Sequence, residues 1–125
     1  ADRVEIRAFT SRTQVQPHQR FWVGLQVRVR EGLHVNSHQP DAEHLIPTAL
    51  RLDDEARLLL VRESYPEDEP WTDPAGNSQR IFRGELIMGA ELEVPPHLAP
   101  GEHPVHLLLR LQPCDDRQCY PPIEA

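Results

Sequence analysis

From Arg20 to Arg30 the chain alternates with a strict period of two. Phe21, Val23, Leu25, Val27 and Val29 share one parity, and Trp22, Gly24, Gln26, Arg28 and Arg30 share the other. Successive side chains point to opposite faces of a strand, so this pattern makes a strand with one dry and one wet face. A helix would wrap these residues around all sides. A strand with one dry face has to bury that face against a second layer, and the rest of the chain has to supply the layer. Thirteen prolines against six glycines exclude long helices and favour short strands joined by rigid turns.

The neighbouring stretches fit that demand. Val4, Ile6 and Ala8 alternate with Arg3, Glu5 and Arg7 in a short half-buried strand, and Pro17 breaks the chain after it. Glu31-Gly32 reads as a turn, Leu33 to Ser37 as a strand, and His38 to Leu45 as a loop carrying Pro40 and Asp41. Ile46 to Leu52 resumes extended structure, and Asp53-Asp54-Glu55 turns it. The apolar run Leu58 to Val61, inside Arg57–Tyr65, fits a core strand or a helical turn. Pro66 to Gln79 is acidic, proline-bearing and without period, which predicts a loop, and loops that long often act as lids or binding loops. Strands follow over Arg80–Met88 and Glu91–Val94. Turns are expected at Pro95-Pro96 and Pro100-Gly101. Val105, Leu107, Leu109 and Leu111 then form a strand leading into Cys114. About seven to nine short strands punctuated this way predict an all-β fold, an antiparallel β-sandwich of immunoglobulin-like type, over a single domain spanning residues 1–125.

A formal charge of −7 disfavours nucleic acid and anionic membrane surfaces as partners. No stretch approaches the roughly 20 apolar residues that span a bilayer. The opening Ala1-Asp2-Arg3-Val4 is polar and carries no export signal, so the chain is expected to be either cytosolic or a mature exported fragment.

The only two cysteines lie near the end, in Cys114-Asp-Asp-Arg-Gln-Cys119-Tyr120-Pro121-Pro122. The four intervening residues are polar and turn-tolerant. If one strand ends at Cys114 and the next begins at Cys119, the two Cβ atoms face each other across a hairpin at a separation a disulfide can bridge. Closing so short a loop stabilises the fold by only about 2 kcal/mol on the chain-entropy model. That leaves two readings: a working dithiol/disulfide, or an inert bridge in an immunoglobulin-like binding or structural module. Zinc is a weaker third, because a structural site wants four Cys/His ligands at recognisable spacing. The seven histidines do not supply it: His34 and His38 separate along an extended segment, and His103 and His106 fall on opposite faces of a strand. No cofactor or metal is expected. Trp22 is expected to pack beneath a loop, and Tyr65 and Tyr120 are candidates to flank the cysteines.

The ending Cys114-x4-Cys119-Tyr120-Pro121-Pro122 resembles that of the N-terminal periplasmic domain of the thiol:disulfide interchange protein DsbD. Gly32-Leu33-His34-Val35-Asn36-Ser37 with Pro40, and Leu45-Ile46-Pro47-Thr48, are similar to the same family. The resemblance implies an immunoglobulin-like fold in the bacterial periplasm. It implies protein-disulfide reductase activity as one part of a larger system, one linked to cytochrome c biogenesis. Electrons would come from a membrane-embedded domain of the same full-length protein through a thioredoxin-like domain, and pass to periplasmic disulfide proteins. By position, Cys119 forms the mixed disulfide with partners and Cys114 resolves it. A cap loop in this family shields the pair with an aromatic residue, which assigns the shield to Trp71, with Asp68, Glu69 and Tyr120 in the cap or partner-binding rim. Asp115 and Asp116 beside the pair oppose thiolate formation, and Arg117 offsets part of their charge, so the reduced thiols are expected to react slowly with small reagents.

Overall fold

The computed structural model describes residues 3–12, 14–53 and 56–125. Asp54 and Glu55, placed in a turn by the sequence, and Ala1 and Asp2 at the opening lie outside them. Among the described residues every regular element is a strand: β1 (Val4–Thr10), β2 (Arg20–Val29), β3 (His34–Asn36), β4 (Ala49–Leu52), β5 (Leu59–Ser64), β6 (Glu69–Thr72), β7 (Ser78–Phe82), β8 (Glu85–Glu93), β9 (Leu107–Leu111), β10 (Pro113–Cys114) and β11 (Ile123–Glu124). All the pairings are antiparallel. They form three sheets, in the orders β1-β2-β8-β5, β10-β3-β7-β6 and β11-β9-β4.

The first sheet is built on the alternation of β2. Its odd-numbered residues and the even-numbered residues of β8 point inward, and Leu25, Val27, Val29, Leu86 and Met88 pack there against Val35, Phe82, Leu50, Leu109 and Leu111 of the other two sheets and Leu33 just before β3. The two smaller sheets thus provide the second layer. A second cluster at the opposite end gathers Phe21, Ala90, Leu92 and Val94. The segment that carries the cysteines adjoins the first cluster, because Tyr120 and Ile123 pack on it.

Several expectations change. Leu58 to Val61 is not a core strand: β5 is an edge strand bulged between Leu60 and Arg62, and Leu59 is 51% exposed. An uninterrupted apolar run cannot say which face is covered, and an edge position leaves one uncovered. Pro66–Gln79 is not one loop. It holds β6, paired with β7 from Glu69↔Ile81 to Thr72↔Ser78 around a tight turn at Gly76, which has φ +89°. The break expected after Met88 falls earlier, at Gly84 with φ +79°, and Gly89 lies inside an unbroken β8. Positive φ is cheap only for glycine, so Gly84 takes the reversal. At Gly89 an added Cβ would come within 3.1 Å of the Val23 carbonyl oxygen, and the Trp22 ring packs beside that position at 3.4 Å. Trp22 therefore covers the outer face of the sheet, with the Arg62 guanidinium 5.3 Å from its ring, rather than sitting beneath a loop.

β9 begins at Leu107, so His103 and His106 precede it and share no strand. The two similarity stretches upstream come together. Thr48 Oγ1 donates to the Asn36 carbonyl at 2.6 Å and Asn36 Nδ2 donates to the Ile46 carbonyl at 3.0 Å. Asn36, Ser37 and Thr48 are buried, and these bonds satisfy polar groups that would otherwise be costly there.

Candidate functional site

The end of the chain forms a miniature hairpin. Cys114 closes β10, and Cys119 stands directly opposite it in an antiparallel bridge. Asp115 N–H donates to the Gln118 carbonyl at 2.9 Å, and Tyr120 N–H donates to the Pro113 carbonyl at 2.8 Å. These bonds flank the cysteines and leave them as a non-hydrogen-bonded pair, the kind that brings opposing side chains closest. The two are joined as a disulfide with Cα atoms 4.0 Å apart. The hairpin inferred from the C-x4-C spacing is present, although its second strand is no more than this bridge.

The turn is held by one side chain. The Asp115 carboxylate accepts from Arg117 N–H at 2.8 Å and Gln118 N–H at 2.7 Å, and from the Tyr120 hydroxyl at 3.0 Å. Aspartate favours such turns because its short side chain reaches backbone donors two and three residues on. The Arg117 amide, then the Gln118 amide, hold its carboxyl below the usual range, with the Tyr120 hydroxyl adding to them. An anion therefore sits beside the pair throughout the neutral range. The Arg3 guanidinium carbon lies over the Tyr120 ring, 3.9 Å from its centroid.

The two sulfurs differ in environment. Cys114 is only 3% exposed, whereas Cys119 lies in an exposed run from Asp116. On its other side Cys114 pairs in register with His34 of β3. His34 is buried, and its ring packs tilted against Trp71 of β6 with centroids 4.3 Å apart. Burial pushes the His34 pKa below its ordinary value; Asp115 opposes that shift and Arg83 reinforces it. His34 is thus a neutral imidazole next to Cys114. No expectation assigned it a role, and the signal that would have done so, its register with Cys114, is a pairing that sequence does not print.

The structure brings some of the expected rim residues together. Trp71 reaches the site through His34. Glu69 pairs with Arg83. Asp68 accepts from Ser37 Oγ at 2.6 Å and from Arg80 Nη2 at 2.6 Å, and these two partners, Ser37 first, lower its pKa. Tyr120 is tied to the cysteine turn through Asp115. Tyr65 is not: its ring stacks on His38 at 3.9 Å and its hydroxyl accepts from Leu50 N–H at 2.8 Å. Among the described residues no three His, Cys, Asp or Glu side chains gather into a metal-ligand set.

Chemically the arrangement offers a single disulfide between one exposed and one buried cysteine on a short hairpin. Residues 5–125 match the family model described as the N-terminal part of thiol:disulfide interchange protein DsbD. No curated protein sequence matches the chain significantly. Among solved structures, the chain is similar to the reduced DsbD N-terminal domain of Neisseria meningitidis, with 23% identity and a TM-score of 0.54 over 82% of this chain and 70% of that one. It is also similar to the N-terminal periplasmic domain of ScsB from Proteus mirabilis, with 12% identity and a TM-score of 0.67 over 99% of this chain and 45% of that one. At these identities the two structures support the fold.

Proposed function

The chain belongs to the family of the N-terminal domain of the thiol:disulfide interchange protein DsbD, and on that premise we propose that it relays reducing equivalents in the periplasm. It accepts two electrons from a thioredoxin-like donor domain, itself served by a membrane-embedded domain, and passes them to disulfide-bonded acceptor proteins. The observation that carries this reading is the contrast between the two cysteines: Cys119 exposed, Cys114 buried.

In the charging step a donor thiolate attacks Cys119 Sγ, the Cys114–Cys119 bond breaks, and Cys114 Sγ leaves with the bonding pair. The donor's second sulfur then attacks the first, Cys119 leaves, and the pair is reduced while the donor is oxidised. In the discharging step the Cys119 thiolate attacks the acceptor disulfide and forms a mixed disulfide. Cys114 attacks Cys119, the internal bond re-forms, and the acceptor departs reduced. Attack at Cys119 needs no opening of the core, whereas attack at Cys114 would. Trp71, Asp68, Glu69 and Tyr120 form the surrounding rim against which a partner docks and which limits access by small thiols.

Trapping tests the roles. A Cys114→Ser variant should accumulate a stable mixed disulfide with a thioredoxin-like protein through Cys119, and a Cys119→Ser variant should accumulate none. Equal trapping through Cys114 would reverse the roles. Failure of both variants to trap would favour an inert bridge in a binding module.

A further inference from the structure

Cys119, Cys114 and His34 form one row. Cys114 lies directly opposite Cys119 on one side and directly opposite His34 on the other. Residues directly opposite each other project from the same sheet face, with Cβ atoms about 5 Å apart. The row therefore runs from an exposed cysteine through a buried cysteine to a buried histidine. His34 is 5% exposed, and its ring packs against Trp71. In the oxidised protein neither sulfur carries a proton. In the reduced protein Cys114 is a thiol out of reach of water, and it has to lose that proton before it can attack.

We propose that His34 is the general base that takes the proton from the Cys114 thiol when Cys114 resolves the mixed disulfide. The inference rests on the exchange reading above. The proton moves from Cys114 Sγ to the His34 ring. The resulting thiolate attacks Cys119 Sγ, the Cys114–Cys119 bond forms, and the bond from Cys119 to the acceptor sulfur breaks. The bonding pair leaves on the acceptor sulfur, which takes up a proton as the imidazolium gives one back. In the charging direction the steps reverse: the neutral ring takes up the proton that the attacking donor thiol loses, and the imidazolium so formed passes it to Cys114 as that sulfur leaves. The charged groups around the ring are Asp115, next to Cys114, and Arg83 in the turn between β7 and β8, itself paired with Glu69; Trp71 brings no charge. Desolvation outweighs Asp115 and keeps the resting ring neutral, which is the form a base requires.

Stoichiometric 5,5′-dithiobis(2-nitrobenzoate) separates the steps. Attack by Cys119 of the reduced protein releases one equivalent of thionitrobenzoate, and closure by Cys114 releases the second. In the unmodified protein the second phase should fall in acid, with a break below the ordinary histidine pKa of about 6.5. His34→Phe, which keeps the contact with Trp71, and His34→Gln, which keeps a polar side chain, should lose that break. They should slow the second phase at neutral pH by about 100-fold while leaving the first phase unchanged. Should one variant fail to fold, the other carries the test. A second phase with unaltered rate and pH profile in a folded variant would overturn the proposal and leave the exchange reading standing. Release of no second equivalent by the unmodified protein would overturn both.

Discussion

Reducing the disulfide should leave the domain folded, at a calculable cost. The bridge spans a sequence separation of 5, and closing so short a loop accounts for about 2 kcal/mol in the chain-entropy model. Little else is at stake. The turn keeps its own hydrogen bonds, Asp115 N–H to Gln118 and Tyr120 N–H to Pro113, and the Asp115 carboxylate still accepts from Arg117 and Gln118. The core beneath is Leu109, Leu111, Val35 and Phe82, none of which needs the S–S bond. For a chain of 125 residues, an unfolding entropy near 2.1 cal/mol/K per residue gives about 260 cal/mol/K, so about 2 kcal/mol lowers Tm by about 8 °C. Calorimetric melts of the oxidised protein, the reduced protein and the Cys114→Ala/Cys119→Ala double variant measure this. A loss above about 20 °C, or disappearance of the near-ultraviolet dichroism on reduction at 25 °C, would mean that the bridge is a structural staple, which a carrier that cycles between two redox states cannot have.

Other consequences bear on the cover, the charge and the core. Trp71→Ala uncovers His34 and should raise the rate of disulfide reduction by dithiothreitol several-fold; an unchanged rate would remove Trp71 from the cover. Asp115→Asn removes an anion beside the pair and should speed alkylation of the reduced protein by iodoacetamide by about threefold to tenfold at neutral pH, since less charge opposes the thiolate. Rapid alkylation of the unmodified protein would contradict the premise. Asp68, Asp73 and Asp115 all have depressed pKa values in the fold. Their contribution to stability is present above the unfolded carboxylate pKa and is lost as pH falls through the folded values, so acid titration should show destabilisation setting in below about pH 4 to 5. Asp115→Asn should flatten that limb. Leu111→Ala, at a fully buried position of β9, should cost about 2–5 kcal/mol in denaturant unfolding, and a loss under 1 kcal/mol would misplace the core.

What could be read from sequence was whatever local chemistry dictates. The period of two in β2 set a strand and its dry face, Gly32 its following turn, and the polar tetrad between the cysteines their hairpin. What could not be read depends on partners distant in the chain. Leu58–Val61 carries the same apolar residues whether it lies central or at an edge, and only the order β1-β2-β8-β5 decides. Glu69–Thr72 has a proline and no period, and becomes a strand because β7 pairs with it. β10 and β11 are two residues each, too short for any pattern. The site divided in the same way. Cys114, Cys119 and Tyr120 stood together in sequence, and Trp71, Asp68 and Glu69 came from the family resemblance. His34 lies 80 residues before Cys114, so register alone, not spacing, places it beside the sulfur.

The most direct test of a working disulfide is its reduction potential, measured by equilibrating the domain in glutathione buffers of graded ratio and quenching with acid. A carrier should show a midpoint within reach of those buffers, above about −300 mV. A pair that stays oxidised throughout, with a potential well below about −300 mV, would mark a permanent bridge and contradict the account.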